Sequence, residues 1–348
     1  MNKRDPGGPP RLPDFELRPF RPAGWLRGPH AQTLGGRYLR HRGGLAFRRE
    51  RVATPDGDFV ELDFALLPRL PWNDVTPGEP VAVVLHGLEG SARSGYVHQV
   101  LRELGSRGIR GVALNFRSCG GEMNQLPRFY HSGDTGDLAF VLDLLGKRFR
   151  GSPLGAVGFS LGGNVLLKYL GEQGEAAPVR AAAAVSVPFD LAAGARRMER
   201  GMGRVYTGFF LRSLRAKFLA KGERMGDACD AARVLAARTF REFDDAATAP
   251  LHGFRDAEHY YAESSSAGFV HAIRVPTLLL HSLDDPFLPP DAVPRDAARE
   301  NPFVVEGFTR HGGHVGFVGG GAPWAPEFWA EAEAARFLHD VLVEAGGA

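Results

Sequence analysis

Three residue types, far apart in the chain, could together open a carboxylic ester. Ser160 stands in Gly158-Phe159-Ser160-Leu161-Gly162, at the end of a short apolar run. Asp284 and Asp285 follow an apolar run at 277–280, and His311 and His314 follow another at 303–308. A neutral serine hydroxyl is a poor nucleophile until a neighbouring base takes its proton. An imidazole can do this, and a buried carboxylate fixes its tautomer and supports the imidazolium that forms. His314 is the expected base rather than His311, because Gly312-Gly313 lets its ring reach back over the serine. Asp285 precedes Pro286-Phe287-Leu288-Pro289, where such an acid commonly sits. It is the expected carboxylate, with Asp284 capping or shaping the loop. The same four residue types could ligate a metal, but nothing in their spacing demands that geometry, and no metal or cofactor is expected.

A serine can act this way only if the backbone presents it. Residues 156–157 are apolar, and after Asn164 the positions Val165, Leu166, Tyr169 and Leu170 recur at helical spacing. Strand, sharp turn with serine at its tip, then helix is the context that gives G-x-S-x-G its meaning as a nucleophile elbow. Gly158 and Gly162 are expected where strand and helix crowd, since a Cβ there would clash. The N–H of Leu161, at the helix start, points at the space the serine faces. A second donor is expected from Leu88 N–H, in the loop His86-Gly87-Leu88 that follows the apolar run 81–85. Two such N–H groups would hold the oxyanion of a tetrahedral intermediate. His86 is read as a support for that loop, not as a base. G-x-S-x-G alone is short enough to arise by chance in a glycine-rich chain. The acid and histidine downstream, in that order, give it weight.

These positions fall on a regular rhythm. Residues 47–53 and 59–66 alternate apolar and polar side chains around Pro55-Asp56-Gly57-Asp58 and read as a β-hairpin. Runs at 81–85, 111–116, 156–159 and 181–187 read as buried strands, with helices at 96–107 and 134–149 between them. The fold class is therefore α/β, with a mostly parallel, doubly wound sheet. The rhythm breaks after Pro188. Residues 189–271 are helical and loop-like and read as an inserted α-helical cap, set between core segments 23–188 and 272–348. This cap is expected to cover Ser160 with apolar side chains such as those at 198–210. The basic helical stripe at 212–221 reads as a solvated face. Residues 324–342 read as a closing helix. Residues 1–22, rich in Pro and Arg, read as a loosely ordered tail or an arm on the domain.

Composition excludes several function classes. The net charge of +2 over 348 residues offers no global field for nucleic acid, and no nucleic-acid recognition motif is present. Two cysteines, Cys119 and Cys229, cannot build a disulfide framework, which fits a reducing, cytoplasmic setting. No stretch approaches the length of a membrane-spanning helix. The expected partner is a small-molecule ester.

The motifs together resemble the YheT-like esterases of the α/β-hydrolase superfamily, the AB hydrolase 4 family related to animal ABHD hydrolases. The resemblance rests on GPHAQT at 28–33, TPDGDFVELDF at 54–64, LHGLEGSARSGY at 85–96 and NFRSCGGEMNQLPRFYHSGDT at 115–135. It continues through AVGFSLGGN at 156–164, REFDD at 241–245, HSLDDPF at 281–287 and HGGHVGF at 311–317. It covers about residue 20 to the end. It implies the α/β-hydrolase fold, Ser160, Asp285 and His314 as the triad, and hydrolysis of carboxylic esters, with short acyl esters the usual substrates. It assigns no role to Cys119 in the FRSCGG loop or to the HSG at 131–133. An acyltransferase or thioesterase would use the same triad, and a non-catalytic binding protein would have lost part of it.

Overall fold

A computed structural model describes residues 15–41, 43–226 and 228–344. Eight strands form one sheet: β1 Ala46–Ala53, β2 Phe59–Leu66, β3 Val81–Leu85, β4 Arg110–Asn115, β5 Leu154–Phe159, β6 Val179–Val185, β7 Thr277–Ser282 and β8 Val304–Thr309. Their order across the sheet is β1-β2-β4-β3-β5-β6-β7-β8. The first two strands form the antiparallel hairpin expected from sequence, and β2 is also antiparallel to β4. From β4 to β8 every pairing is parallel. Every residue of β3, β4 and β5 is buried, as apolar runs covered on both faces require.

The strands feed two cores. In β3, Val81, Val83 and Leu85 face one side, while Ala82 and Val84 face the other. The first side is covered by α3 Gly136–Arg148 and α4 Leu161–Gln173, through Leu138, Val141, Leu145, Val165 and Leu170. The second is covered by α2 Gly95–Ser106 and α12 Trp329–His339, through Val97, Leu101, Leu104, Phe337 and Leu338. A short helix α11, Arg295–Glu300, precedes β8, and α1, Pro29–Leu39, lies ahead of the hairpin.

One expectation changes. The closing helix starts at Trp329 rather than 324, because β10 (Ala325–Phe328) pairs with β9 (Val318–Ala322) in a small hairpin. The glycines of 319–321 hide that strand from an alternation test. Of the two readings of residues 1–22, a loose tail or an arm on the domain, residues 15–22 take the second: Phe15 packs edge-on against Phe337, and Phe20 against Phe317. Residues 1–14 of the expected tail lie outside the described residues.

The hairpin turn is locked to the rest by Arg117, just past β4. Its guanidinium donates to both Asp137 oxygens, at 2.8 and 2.7 Å, and to Asp58 at 3.2 Å, and it lies 2.8 Å from Asp56. Burial opposes charge on this arginine, but these carboxylates outweigh it and hold its pKa above the ordinary value. The TPDGD and FRS stretches are therefore two halves of one buried ionic joint.

Between β6 and β7 the chain is helical: α5 Leu191–Met198, α6 Gly203–Lys221, α7 Ala231–Ala236, α8 Phe240–Phe243, α9 Ala249–Leu251 and α10 Ala257–Ser264. This segment has a core of its own, built on Leu211, Phe218, Val234, Phe243 and Ala247.

Candidate active site

Ser160 joins β5 to α4 with φ of 51° and ψ of −120°, a strained conformation for a residue with a side chain. The glycines around it make that turn possible. A Cβ on Gly158 would meet the Gly162 carbonyl oxygen at 2.5 Å, which is the expected strand–helix crowding. A Cβ on Gly162 would meet something else, the His86 carbonyl at 2.5 Å, so this glycine clears the neighbouring strand end.

The expected partners converge on Ser160. The His314 Nε2 lies 2.9 Å from the Ser160 Oγ, and its Nδ1 lies 2.8 Å from the Asp285 Oδ2. Burial pushes the Asp285 carboxyl up. His314, and then the hydrogen bonds, His281 and the Phe287 N–H, outweigh it and hold the group below its ordinary range. Asp284 turns the other way: its Oδ1 accepts the Gly313 N–H at 2.9 Å, and its Oδ2 lies 3.2 Å from the exposed His311. The adjacent acids thus divide, one on the histidine and one on the loop that carries it.

That loop is seated by α1, which explains the GPHAQT stretch. Thr33 Oγ1 accepts the His314 N–H at 2.9 Å, and Gln32 bonds both the N–H and the carbonyl of Val318, at 2.8 and 3.0 Å. Arg40, one residue past the helix, donates to the carbonyls of Val315 and Gly316 at 2.9 and 3.0 Å. Its Nε also lies 2.6 Å from Glu331, with both side chains buried. Gly313 has φ of 63°, and a Cβ there would meet the Pro29 carbonyl at 2.4 Å, so the Gly-Gly pair lets the loop lie on the helix.

Opposite the histidine lies the loop after β3. Gly87 packs on the nucleophile: a Cβ there would come within 3.1 Å of the Ser160 Cβ. Leu88 and Leu161 border the same cavity as Ser160. His86 fixes the loop. Its Nε2 accepts the Phe116 N–H at 3.1 Å, so the ring proton sits on Nδ1 and is given to the Gly87 carbonyl at 2.8 Å. Burial lowers its pKa to about 3 and keeps the ring neutral.

Sequence reasoning missed what braces this loop. Glu89, with φ of 55°, gives its N–H to the Tyr130 hydroxyl at 2.8 Å. Its carboxylate accepts from Tyr130 at 2.9 Å, from Lys217 at 2.8 Å and from Ser213. Lys217 also donates to Cys119 Sγ at 3.1 Å. Burial opposes its charge, and Cys119 and Glu89 outweigh it, holding its pKa above the ordinary value. The stripe at 212–221 is therefore not simply a solvated face. Lys217 and Lys221 turn inward, the latter donating to Asn124 at 2.7 Å. The only sequence signal was that both fall beside Leu214 and Phe218 on the apolar side of α6. Burial also pushes the Cys119 thiol up.

The cavity over Ser160 encloses about 1150 Å³ of space not filled by atoms, its open mouth included. The inserted helical segment supplies much of its wall, with Met198, Phe210, Leu214, Phe240, Phe243 and Leu251 among the lining residues. Most of the lining is apolar, as a site that binds hydrocarbon requires.

A family model described as the α/β-hydrolase fold matches residues 80–320. YheT of Escherichia coli strain K12, named as a candidate esterase, is 38% identical over 90% of this chain and 91% of its own. The protein named phospholipase ABHD3 in Mus musculus is 30% identical over 86% of this chain and 74% of its own. Among solved structures, an esterase of Pyrococcus furiosus, Pf2001, superposes with a TM-score of 0.56 at 16% identity, covering 94% of this chain and 99% of that one. No helix among the described residues is long and apolar enough to cross a membrane. With a Ser–His–Asp constellation at the end of a parallel sheet and relatives of this kind, the chain is a hydrolase of the esterase and lipase type and belongs to the α/β-hydrolase family, in the branch of YheT and the ABHD3 proteins.

Proposed function

We propose that the protein hydrolyses carboxylic esters through an acyl-enzyme on Ser160. The observation that carries this reading is the unbroken run Asp285–His314–Ser160, with contacts of 2.8 and 2.9 Å, opening into an apolar cavity. Ser160 Oγ attacks the ester carbonyl carbon as His314 Nε2 takes its proton. Asp285 accepts from Nδ1–H, fixes the tautomer and supports the imidazolium. The negative oxygen of the tetrahedral intermediate lies between the N–H groups of Leu88 and Leu161. Leu161 is the first residue of α4, and its N–H has no partner within the helix. His314 then passes the proton to the leaving alcohol. Water, deprotonated by the same nitrogen, attacks the acyl-enzyme and releases the acid and Ser160. No cofactor enters these steps.

Short acyl esters are the expected substrates, and the apolar wall of the cavity supports longer chains as well. The test is hydrolysis of p-nitrophenyl esters from acetate to palmitate by wild type and Ser160→Ala. Serine-dependent turnover supports the reading, and its position along the series gives the acyl length. Turnover that persists in Ser160→Ala overturns it.

A further inference from the structure

Two side chains in the cavity have no part in the acyl-enzyme chemistry. His131 and His252 both line it, with ring centroids 4.4 Å apart and planes at 59°. His131 belongs to the HSG stretch, and its backbone is pinned on both sides to the reacting centre. Before it, the Tyr130 hydroxyl holds the Glu89 N–H, next to Leu88. After it, the Ser132 carbonyl accepts from the Asn164 side chain at 2.8 Å, one helical turn beyond Ser160. The Ser132 N–H donates to the Tyr260 hydroxyl at 3.0 Å. His131 is thus suspended between the loop that carries Leu88 and the helix that begins at Leu161.

Its hydrogen bonding fixes what it offers. Nδ1 accepts the Gly133 N–H at 3.2 Å, so in the neutral ring the proton is on Nε2. That Nε2–H, and both ring nitrogens of His252, have no hydrogen-bond partner among the described residues. Burial, then Arg128 and Lys168, lower the His131 pKa to about 3. Burial, then His131 and Arg128, lower that of His252 as well. Both rings are therefore neutral near pH 7, one a donor and the other able to donate or accept.

Among the described residues lining the cavity, Lys217 meets Glu89, so an anionic substrate group would find no free counter-charge there. Asp244 accepts from the neutral hydroxyls of Tyr261 at 2.7 Å and Thr248 at 2.6 Å. The two neutral imidazoles themselves call for a neutral partner. A neutral group that accepts and donates at one atom would satisfy both rings, and an alcohol hydroxyl is such a group. A ligand lacking it would forgo both contacts, and a site that discriminates by hydrogen bonding depends on such a difference.

We propose that His131 and His252 form a subsite for a free hydroxyl of the substrate, so that esters carrying a hydroxyl near the scissile bond are preferred. The proposal rests on the acyl-enzyme reading above. Its test compares kcat/KM for ethyl butyrate, 2-hydroxyethyl butyrate and ethyl 3-hydroxybutyrate, with the hydroxyl absent, on the alcohol side or on the acyl side. Wild type is expected to favour one hydroxylated ester over ethyl butyrate by about tenfold or more, and the favoured one gives the side. His252→Leu is expected to erase that ratio and His252→Gln to restore part of it, with fluorophosphonate labelling of Ser160 reporting that each variant is folded. No preference in wild type, or a preference that survives His252→Leu, overturns the proposal. Wild-type selectivity decides alone if the leucine variant fails to label. Turnover of all three esters that persists in Ser160→Ala is a different failure, of the nucleophile assignment, and is read separately.

Discussion

The ring of Phe287 lies nearly flat on the imidazole of His314, with centroids 4.1 Å apart and planes 21° from parallel. The same residue gives its backbone N–H to Asp285 Oδ1 at 2.8 Å. One residue therefore covers the base and holds the acid. An aromatic face against a cation stabilises it by about 0.5–2 kcal/mol, and the imidazolium exists only as the reaction proceeds. Phe287→Leu is expected to lower kcat about 2- to 30-fold, by the same energies, with Phe287→Tyr near wild type. Steady-state kinetics on p-nitrophenyl butyrate measure this, and an unchanged kcat in the leucine variant would remove Phe287 from the argument.

Ser160→Ala is expected to lower ester turnover by at least about 10³-fold, because the remaining binding groups supply only a small part of the acceleration. The fold should be unaffected, since among the described residues the side chain that the lost hydroxyl hydrogen-bonds is that of His314. Circular dichroism and a thermal melt check the second half of the statement.

The inserted helical segment and the loop after β3 meet at Glu89 and Lys217, 4% and 17% exposed in their side chains. Taking one partner from a buried pair leaves an uncompensated charge and costs about 3 kcal/mol. Lys217→Met is expected to lose that much in urea denaturation. The double variant Glu89→Gln with Lys217→Met should recover most of it. A double variant no better than Lys217→Met would show that the loss came from packing of the lysine stem.

Asp244 gives a pH signature. Burial pushes its carboxyl up from 3.8 to about 6, against hydrogen bonds from Thr248 and Tyr261 and with Asp245 adding to the rise. The folded state therefore holds this proton more tightly than the unfolded chain. The contribution is present below about pH 4 and is lost as pH rises through about 6, a swing of about 3 kcal/mol for two units. Asp244→Asn removes the titrating group. Between pH 4 and 6 its melting temperature should fall less with rising pH than that of wild type, and at pH 7 it should be the more stable protein. Parallel curves for the two would contradict the assignment.

Much of this was legible from residues alone. The places of Ser160 and Asp285 in the chain were readable because each follows a fully buried parallel strand with a plain apolar signature, and His314 follows the apolar residues of the half-buried edge strand β8. The choice of Asp285 over Asp284 came from where such an acid commonly sits, ahead of Pro286-Phe287, and it is Asp285 that lies 2.8 Å from His314. Other features left little local trace. Lys217 sits in a helix with many basic residues, and beyond its place beside Leu214 only its three-dimensional partner distinguishes it from them. The β9–β10 hairpin is masked by Gly319, Gly320 and Gly321, which carry no alternation to detect. The seat of His314 on α1 is invisible for a related reason. Thr33, Gln32 and Arg40 act through backbone groups of a loop almost three hundred residues away, and no periodicity encodes that.

That distance bears on when the protein becomes active. The nucleophile and the loop opposite it are supplied by the first half of the chain. The histidine loop is clasped instead by Arg40 and Thr33, through contacts 275 and 281 residues apart in sequence. Closing so long a loop is entropically costly and comes late. A growing chain can shape the turn at Ser160 early, yet it cannot seat His314 until that loop has been made and has returned to α1. On the proposed mechanism, reactivity is then acquired late, and a chain not yet grown to His314 carries a serine with nothing to activate it.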